Sequence, residues 1–317
     1  MRIGILGATS QIAKDLIVSF YESGGEYNIT MFSRSPEKVE EQFKRLDKKL
    51  SYPNLVYSEF STENSFDVLI NFVGIGDPAQ AKEMGAKIFE VTEQYDNLVL
   101  DYLKSHSSCK YIFMSSGAVY GGGFEKAVDK GTVAKVDINN IEPSDWYTIA
   151  KLYAESKHRA MSDYSIIDIR IFNYFSHTQN VNARFLITDI VRSIQNGTVL
   201  KTSSENITRD FITPSDFYRL ILSVINSSRM NISIDCYTKS PVDKFSLLKR
   251  CQEEFGLLYE IVDSAGVNAT GFKKNYFSKY RVPNGKFKPE YDSLSSLINE
   301  IYRITKGVRN KNENNVC

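Results

Sequence analysis

Short apolar runs alternate with stretches of helical periodicity through about the first 175 residues of the chain. Short continuous apolar runs are typical of strands buried on both faces. The intervening stretches repeat apolar residues every three or four positions, as helices with one face on a core do. The runs predict strands at 2–6, 29–32, 55–57, 68–73, 110–114 and 165–171, and the periodic stretches predict helices at 11–23, 36–50, 83–106 and 147–161. This order predicts an α/β fold with a doubly wound, mostly parallel sheet and helices on both faces.

The pattern becomes less regular after about residue 175. It predicts helices at 184–195, 215–226, 244–255 and 293–305, and short strands at 232–236 and 259–262. We expect a first domain at 1–174, and part of segment 205–235 is expected to belong to this domain as well. A smaller mixed α/β C-terminal lobe is expected at 175–305. The polar segment 306–317 is expected to form a flexible tail.

The composition excludes several classes of protein. Apolar residues make up 42% and charged residues 24%, which is the balance of a globular chain. The 39 basic and 38 acidic residues leave a net charge of +1, too little for a nucleic-acid or membrane-surface protein. No apolar run reaches the roughly 18 residues of a spanning helix, and the N-terminus lacks a signal-peptide pattern. The scattered four cysteines and three histidines predict neither disulfides nor a metal site, so we expect a cytoplasmic protein.

The turn after the first strand reads Gly7-Ala8-Thr9-Ser10-Gln11-Ile12-Ala13. A dinucleotide-binding loop needs a tight turn, close approach of backbone to pyrophosphate and close helix packing. Gly7 meets the first need and Ala13 the third, while Ser10 replaces the second glycine and offers a hydroxyl to a phosphate. The following helix start adds free N–H groups and a positive dipole. The loop favours a Rossmann-type domain over a plain turn, with cofactor contacts from Gly7, Thr9, Ser10, Gln11 and Ile12.

The end of the second strand bears on which cofactor is bound. NAD-preferring folds carry an acid there that binds the ribose 2′-hydroxyl. This chain has Ser33-Arg34-Ser35 instead. An arginine can bind a 2′-phosphate through charge-assisted hydrogen bonds, although Arg34 can also be a plain surface residue. We therefore expect NADP(H), with NAD as the alternative.

A serine, a tyrosine and a lysine are spaced for acid–base chemistry. Ser116 ends the fifth strand, where open α/β sheets bind ligands. Tyr147 and Lys151 are four residues apart and share one helical face. An ammonium about 4 Å from a phenol is worth on the order of 4 kcal/mol at an effective dielectric of 20. We expect Lys151 to lower the pKa of Tyr147 towards neutrality, where general acid–base catalysis works best.

With these motifs, the sequence resembles the extended short-chain dehydrogenases/reductases of the NAD-dependent epimerase/dehydratase group, which mostly modify nucleotide sugars. The resemblance covers nearly the whole chain. It is carried by the motifs at Gly7–Ala13, Phe113–Ser116, Val119–Gly121, Tyr147–Glu155, Arg170–Asn173, Arg209–Ile212, Phe287–Pro289 and Ser293–Leu294.

The resemblance implies a role for each matching residue. Tyr147 is the acid–base group, Lys151 lowers its pKa and holds the nicotinamide ribose, and Ser116 binds the reacting oxygen. Further cofactor contacts are implied at Phe72, Val73 and Gly74, and substrate contacts at Gly117, Asn173 and Arg209. Arg209 typically binds the substrate diphosphate, although an ion pair with Asp210 is the alternative. The family also implies a nucleotide-sugar partner and a homodimer.

Departures from the family narrow the reaction. Its sugar 4,6-dehydratases usually carry Asp-Glu after the catalytic serine or threonine, where this chain has Gly117-Ala118. This disfavours a dehydratase and leaves a ketoreductase or a 4-epimerase. Because the end of the second strand favours NADP, we expect an NADP-dependent reductase of a keto-sugar nucleotide, of a 4-keto-6-deoxy-hexose by preference. The first alternative is a nucleotide-sugar 4-epimerase with tightly bound NAD. A remote one is a non-catalytic regulator that senses NADP.

Another departure concerns the link between the third and fourth strands. Segment 58–67 barely accommodates a crossover helix, because a complete crossover usually takes roughly a dozen residues or more. We expect an unusual adenine end of the cofactor pocket.

Overall fold

A computed structural model describes residues 1–46, 48, 50–74, 83–122, 124–262, 273–281 and 287–313, with side chains as far as residue 305. Within these residues, seven parallel strands form the central sheet. They are β1 (Arg2–Leu6), β2 (Asn28–Ser33), β3 (Asn54–Val56), β4 (Val68–Asn71), β5 (Lys110–Ser116), β6 (Ser165–Ile171) and, later in the chain, β11 (Ile232–Asp235). Their order across the sheet is β11-β6-β5-β4-β1-β2-β3. The predicted parallel α/β sheet is confirmed.

Helices cover both faces of this sheet because its strands are apolar on both. On β5, Ile112 and Met114 pack into one core, and Tyr111 and Phe113 into the other. The first core also contains residues of α1 (Gln11–Glu22), α2 (Pro36–Arg45) and α6 (Pro214–Ile225), and the second contains residues of α3 (Lys87–Ser105) and α4 (Trp146–Ala160). Because the strands are parallel, their carboxyl ends lie along one edge of the sheet, and such sheets bind ligands at that edge.

A third core unites most of the remaining elements. It is built mainly on α5 (Leu186–Asn196), α7 (Lys244–Phe255) and the start of α8 (Ser293–Glu313). Short strands accompany these helices: β7 (Asn173–Tyr174), β8 (Leu200–Thr202), β9 (Thr208–Arg209), β10 (Phe211–Ile212), β12 (Val242–Asp243), β13 (Tyr259–Ile261) and β14 (Asn275–Tyr276). Strand β11, by contrast, pairs with β6 in the central sheet. The domain boundary at residue 174 stays a prediction.

Three helices differ in length from the prediction. Helix α2 ends at Arg45 because Leu46 leaves helical geometry and its N–H closes a tighter turn on Phe43. Helix α3 begins after Gly85, whose positive φ of 59° interrupts the predicted start. Helix α8 continues beyond the predicted end at 305 to Glu313.

The segment between β3 and β4 holds a single 3₁₀ turn, Tyr57–Glu59, in place of a crossover helix. This agrees with the shortness of the segment. Within the described residues, no helix is long and apolar enough to cross a membrane, and no group of histidine, cysteine and acidic side chains is arranged to hold a metal ion.

A buried imidazole joins the helices of the second core to the sheet. His158 of α4 is fully buried, and its Nδ1 and Nε2 lie 2.6 and 2.8 Å from carboxylate oxygens of Asp168 and Asp96. Burial alone would lower the pKa of His158, but hydrogen bonds and attraction from the two carboxylates outweigh it and raise the pKa to about 9. His158 is therefore a buried cation between two acids.

Candidate active site

The loop between β1 and α1 has the geometry of a phosphate cradle. Gly7 has a φ of +80°, and a Cβ there would lie 2.8 Å from the carbonyl carbon of Phe72. Only glycine fits this close approach to the end of β4. Ser10 caps α1, its Oγ accepting a hydrogen bond from the Ala13 N–H at 3.2 Å, so its hydroxyl hydrogen stays available to a phosphate. The cradle and the helix start fit a dinucleotide pyrophosphate.

The other predicted residues of this loop point in different directions. Gln11 turns away from the cradle: its Nε2 lies 2.9 Å from Asp15 Oδ2 and 2.8 Å from Ser176 Oγ. Thr9 is half-buried, and its carbonyl accepts from Gln42 Nε2 at 3.1 Å. Ile12 packs its side chain against the first core. Of these three, Gln11 can meet a pyrophosphate only through its backbone.

Tyr57 covers the phosphate loop, a position that the sequence reasoning missed. The Gly7 N–H lies 3.1 Å from the Tyr57 hydroxyl, and the Tyr57 ring lies 4.4 Å from that of Tyr95, centroid to centroid. Burial raises the pKa of Tyr57, and the nearby Arg34 opposes this. The available signal was the short segment after β3, which brings this tyrosine next to the phosphate loop.

The end of β2 exposes one cation. Ser33 is fully buried, and its Oγ accepts from the Ser35 N–H at 3.3 Å. Arg34 is exposed at the strand end, and no ion pair of Arg34 occurs within the described residues. Its guanidinium is thus available to an anion beside the cradle.

The end of β4 meets the predicted catalytic lysine. Phe72 is buried, and the Val73 N–H is held by Asn71 Oδ1 at 2.9 Å. At Gly74, whose φ is +148°, a Cβ would lie 3.3 Å from the Lys151 Nζ. A side chain here would therefore crowd the ammonium group.

Ser116 and Tyr147 lie together at the carboxyl end of β5. Tyr147 is near enough to the Ser116 hydroxyl for that hydroxyl to act to lower the pKa of Tyr147. The adjoining Gly117 leaves room for an aromatic ring, since a Cβ there would lie 2.4 Å from Phe172. The predicted serine–tyrosine pair is thus brought together at the sheet edge.

The expected effect of Lys151 on Tyr147 is wrong for this arrangement. Burial raises the pKa of Tyr147 above its usual value, and the nearby Ser116 hydroxyl only partly opposes this rise. Lys151 instead donates from Nζ to the Met114 carbonyl at 2.8 Å and lies 4.3 Å from the centre of the Phe113 ring. Burial lowers the pKa of Lys151 to about 8, against the attraction of more distant acids. The four-residue spacing predicted that Tyr147 and Lys151 act as a pair, but burial decides the direction in which the pKa of Tyr147 moves.

A buried network of ion pairs and hydrogen bonds lies next to this centre, beginning at Ser115, the residue before Ser116. Arg170 binds Glu155 through Nε and Nη2, with the Nε–Oε1 distance at 3.0 Å. Its Nη1 donates to the Tyr120 hydroxyl at 2.8 Å, and Tyr120 donates in turn to Asp235 at 2.9 Å. Ser115 donates to the same Glu155 carboxylate. The network fixes β5, α4 and β11 relative to one another.

Two cations of the C-terminal half, Arg209 and Lys273, lie beside the ring of Tyr276. Burial lowers the pKa of Arg209 to about 10, and burial together with repulsion by Arg209 lowers the pKa of Lys273 to about 8. Neither forms an ion pair within the described residues. Asp210, the alternative partner of Arg209, instead accepts from Thr238, whose N–H lies 3.0 Å from Oδ2. Two neighbouring cations without a carboxylate partner form a site for an anion. Lys273 was not predicted, because the sequence gives no signal for it beyond its charge.

The side-chain amide of Asn173, a predicted substrate contact, is bound to the backbone of neighbouring segments. Its Nδ2 donates to the Asp210 and Tyr276 carbonyls, each at 3.2 Å. Tyr276, which the sequence reasoning also missed, extends its hydroxyl to 3.4 Å from Ser116 Oγ. No local pattern reveals this contact, because the two residues are 160 positions apart.

The sequence profile described as "NAD dependent epimerase/dehydratase family" matches residues 3–234. The chain belongs to this family. The prediction of a nicotinamide-dependent oxidoreductase of the extended short-chain dehydrogenase/reductase type is thereby confirmed. A search of curated proteins gives no match to this chain.

Solved structures of the same fold include nucleotide-sugar enzymes. A UDP-glucose 4-epimerase from Stenotrophomonas maltophila, with bound NAD and formylated UDP-arabinopyranose, has a TM-score of 0.78 at 14% identity, covering 98% of this chain and 99% of that one. A UDP-glucose 4-epimerase from Thermotoga maritima with UDP-glucose has a TM-score of 0.74 at 16% identity, covering 97% and 100%. A dTDP-glucose 4,6-dehydratase from Bacillus anthracis with NAD has a TM-score of 0.73 at 16% identity, covering 96% and 97%.

Proposed function

We propose that this protein is an NADP-dependent reductase of a keto-sugar nucleotide, with a 4-keto-6-deoxy-hexose as its preferred sugar. The observation that carries the proposal is the Ser116–Tyr147 hydroxyl pair at the sheet edge, which Tyr276 connects to Arg209 and Lys273: its hydroxyl lies 3.4 Å from Ser116, and both cations lie beside its ring. The hydroxyl pair suits a carbonyl oxygen, and the cation pair suits a diphosphate. A nucleotide sugar carries both groups in one molecule.

The residues divide the work between binding and proton transfer. Ser116 and Tyr147 hydrogen-bond the carbonyl oxygen, and Tyr147 gives its proton to the oxygen that becomes a hydroxyl. Lys151, beside Gly74, holds the ribose next to the nicotinamide. Gly7 and Ser10 hold the pyrophosphate, and Arg34 binds the 2′-phosphate. The hydride would come from a reduced nicotinamide when it is bound beside these residues.

A nucleotide-sugar 4-epimerase with retained NAD is the second candidate. It is favoured by the similar structures that are 4-epimerases, among them the two described above, one of which holds NAD. A 4,6-dehydratase is disfavoured by Gly117 and Ala118, since neither side chain can move a proton. A homodimer and a cytoplasmic location stay predictions.

The two candidates differ in whether they consume cofactor. The purified protein should be incubated with dTDP- and UDP-linked 4-keto-6-deoxyglucose and NADPH, while the absorbance of reduced nicotinamide is followed. A reductase oxidises one NADPH for each sugar reduced. Conversion of UDP-glucose to its 4-epimer without added cofactor would instead establish the epimerase.

Arg34 provides a direct test of cofactor choice. Arg34→Ala should weaken NADPH binding by roughly 10- to 100-fold, because it removes charge-assisted hydrogen bonds to the 2′-phosphate. NADH binding should change little. Fluorescence titration with both cofactors measures this, and Arg45→Ala, an exposed arginine of α2 paired with Glu41, is the matched control. Equal losses for NADPH and NADH would remove the argument for NADP.

Arg209 tests the diphosphate site. Arg209→Gln should raise KM for the nucleotide sugar by roughly 10- to 100-fold and change kcat much less, because the diphosphate is bound equally in the ground and transition states. Steady-state kinetics at saturating NADPH separate the two constants. Arg219→Gln, which removes an exposed partner of Glu290, should leave both unchanged. A fall confined to kcat would contradict diphosphate binding by Arg209.

A further inference from the structure

Tyr276 stands between the anion site and the hydroxyl pair. It lies on β14, directly opposite Arg209 of β9 in the strand register. Lys273 Nζ lies 4.5 Å from the centre of the Tyr276 ring, and the Arg209 guanidinium carbon lies 5.9 Å from it. The hydroxyl at the other end of the ring reaches Ser116. A ligand that spans from the cations to Ser116 must therefore run along this ring.

The ring is held firmly in this position. Phe124 and Phe172 pack against it, with centroid separations of 4.7 and 5.2 Å. Asn173 holds the backbone carbonyl of Tyr276. Aromatic walls and a clamped backbone fix the direction of the hydroxyl, which is what a specificity contact requires.

The Tyr276 hydroxyl has a long contact to Ser116, and the Ala118 N–H also acts on it. Its 3.4 Å separation from Ser116 Oγ exceeds the usual range for O–H···O hydrogen bonds, so both groups can accept a closer partner. Tyr147 is near enough to act electrostatically on Tyr276. Burial raises the pKa of Tyr276, which keeps the hydroxyl protonated and able to donate at neutral pH. Three hydroxyls thus converge where the proposed function puts the reacting carbonyl.

We propose that Tyr276 is a specificity-determining residue that hydrogen-bonds the sugar hydroxyl on the carbon next to the reacting carbonyl. The inference rests on the proposed function and defines its substrate class further, as a keto sugar that keeps this neighbouring hydroxyl. Ser116 and Tyr147 occupy the carbonyl oxygen, so the third hydroxyl serves the adjacent position. In a 4-keto-6-deoxy-hexose, that position is the 3-hydroxyl.

The test pairs one enzyme variant with one substrate change. Kinetics are measured for wild type and Tyr276→Phe with the 4-keto-6-deoxyglucose nucleotide that wild type reduces fastest, and with its 3-deoxy analogue. Tyr276→Phe should lower kcat/KM for the hydroxylated sugar by roughly 5- to 100-fold, because a buried hydroxyl is left unpaired. On the 3-deoxy analogue, wild type and variant should be equal within about 3-fold.

Tyr280→Phe is the matched control. Tyr280 lies on the same segment but lines a separate cavity of about 300 Å³ with Tyr120 and Arg170. Tyr280→Phe should leave kcat/KM for both substrates unchanged.

The Tyr276→Phe variant keeps the aromatic packing of position 276, and an unchanged Tm of that variant verifies this.

Two failures are distinguishable. An equal loss on both substrates in Tyr276→Phe would overturn the inference and leave the reductase intact. If wild type neither binds nor reduces any keto-sugar nucleotide, in calorimetry as well as in the assay, the proposed function fails and the inference fails with it.

Discussion

Replacing Tyr147 with phenylalanine is expected to lower kcat by about 10²- to 10⁴-fold while NADPH binding stays nearly unchanged. The substitution removes only the hydroxyl that donates the proton to the carbonyl oxygen. The ring remains, so the walls of the site and the start of α4 are preserved. Single-turnover reduction of a 4-keto-6-deoxyglucose nucleotide measures the chemical step, and NADPH fluorescence measures the binding.

Tyr147 also sets an expected pH profile. The pKa of Tyr147 is raised by burial, so the phenol stays protonated through neutral pH, as a proton donor in ketone reduction must. Lys151, with a pKa of about 8, loses its charge above that pH. We expect kcat/KM for reduction to be level through neutrality and to fall above about pH 8. A decline that begins on the acidic side of neutrality would contradict the raised pKa of Tyr147.

Tyr153→Phe is the control for Tyr147→Phe, since Tyr153 is 52% exposed on the same helix. It should change neither kcat nor cofactor binding. Near-normal turnover by Tyr147→Phe would contradict the role of Tyr147 in the reaction. A loss of NADPH binding of the same size would show that the variant damages the pocket rather than the proton transfer.

The parts predicted correctly from sequence are those that local patterns determine. Strand β1 follows from a short apolar run, and the turn at Gly7 follows from a glycine that takes a positive φ of 80°; both features are set by neighbours in the chain. The Tyr147–Lys151 spacing likewise identifies one face of α4. The family could be recognised because its motifs are of this local kind.

The parts that escaped prediction depend on contacts between distant segments. Tyr276 reaches Ser116 across 160 positions, and Tyr57 reaches Gly7 across 50. The pKa of Tyr147 moves in the direction opposite to the prediction because burial cannot be read from a four-residue spacing. Local periodicity carries no information on which side chains of distant segments meet.

The buried His158 provides the second large effect. His158→Gln should lower the free energy of unfolding by about 3–5 kcal/mol, because Asp96 and Asp168 stay buried without their shared cation. Lys157 and Arg159, the other charged partners of these carboxylates, are each partly exposed and compensate only in part. Urea unfolding of wild type and variant at about pH 6.5 measures the difference.

The same residue should make wild-type stability depend on pH. The folded-state pKa of His158, about 9, lies above its unfolded value of 6.5, so its contribution is complete below about pH 6.5 and is lost as pH rises through about 9. A shift of this size corresponds to about 3 kcal/mol. The wild type should therefore lose stability between about pH 6.5 and pH 9.5, and His158→Gln should lose much less over that interval.

A triple variant separates the charge of His158 from its packing. If the loss in His158→Gln arises from two uncompensated carboxylates, adding Asp96→Asn and Asp168→Asn should restore part of the stability, because neutral amides are less costly to bury. If the loss arises from the shape of the imidazole, the two added substitutions should lower stability further. Equal pH slopes in wild type and His158→Gln would contradict the assignment of His158 as the buried cation. Recovery in the triple variant, together with a flattened pH slope, would instead show that α4 is held to the sheet by a charge between two acids.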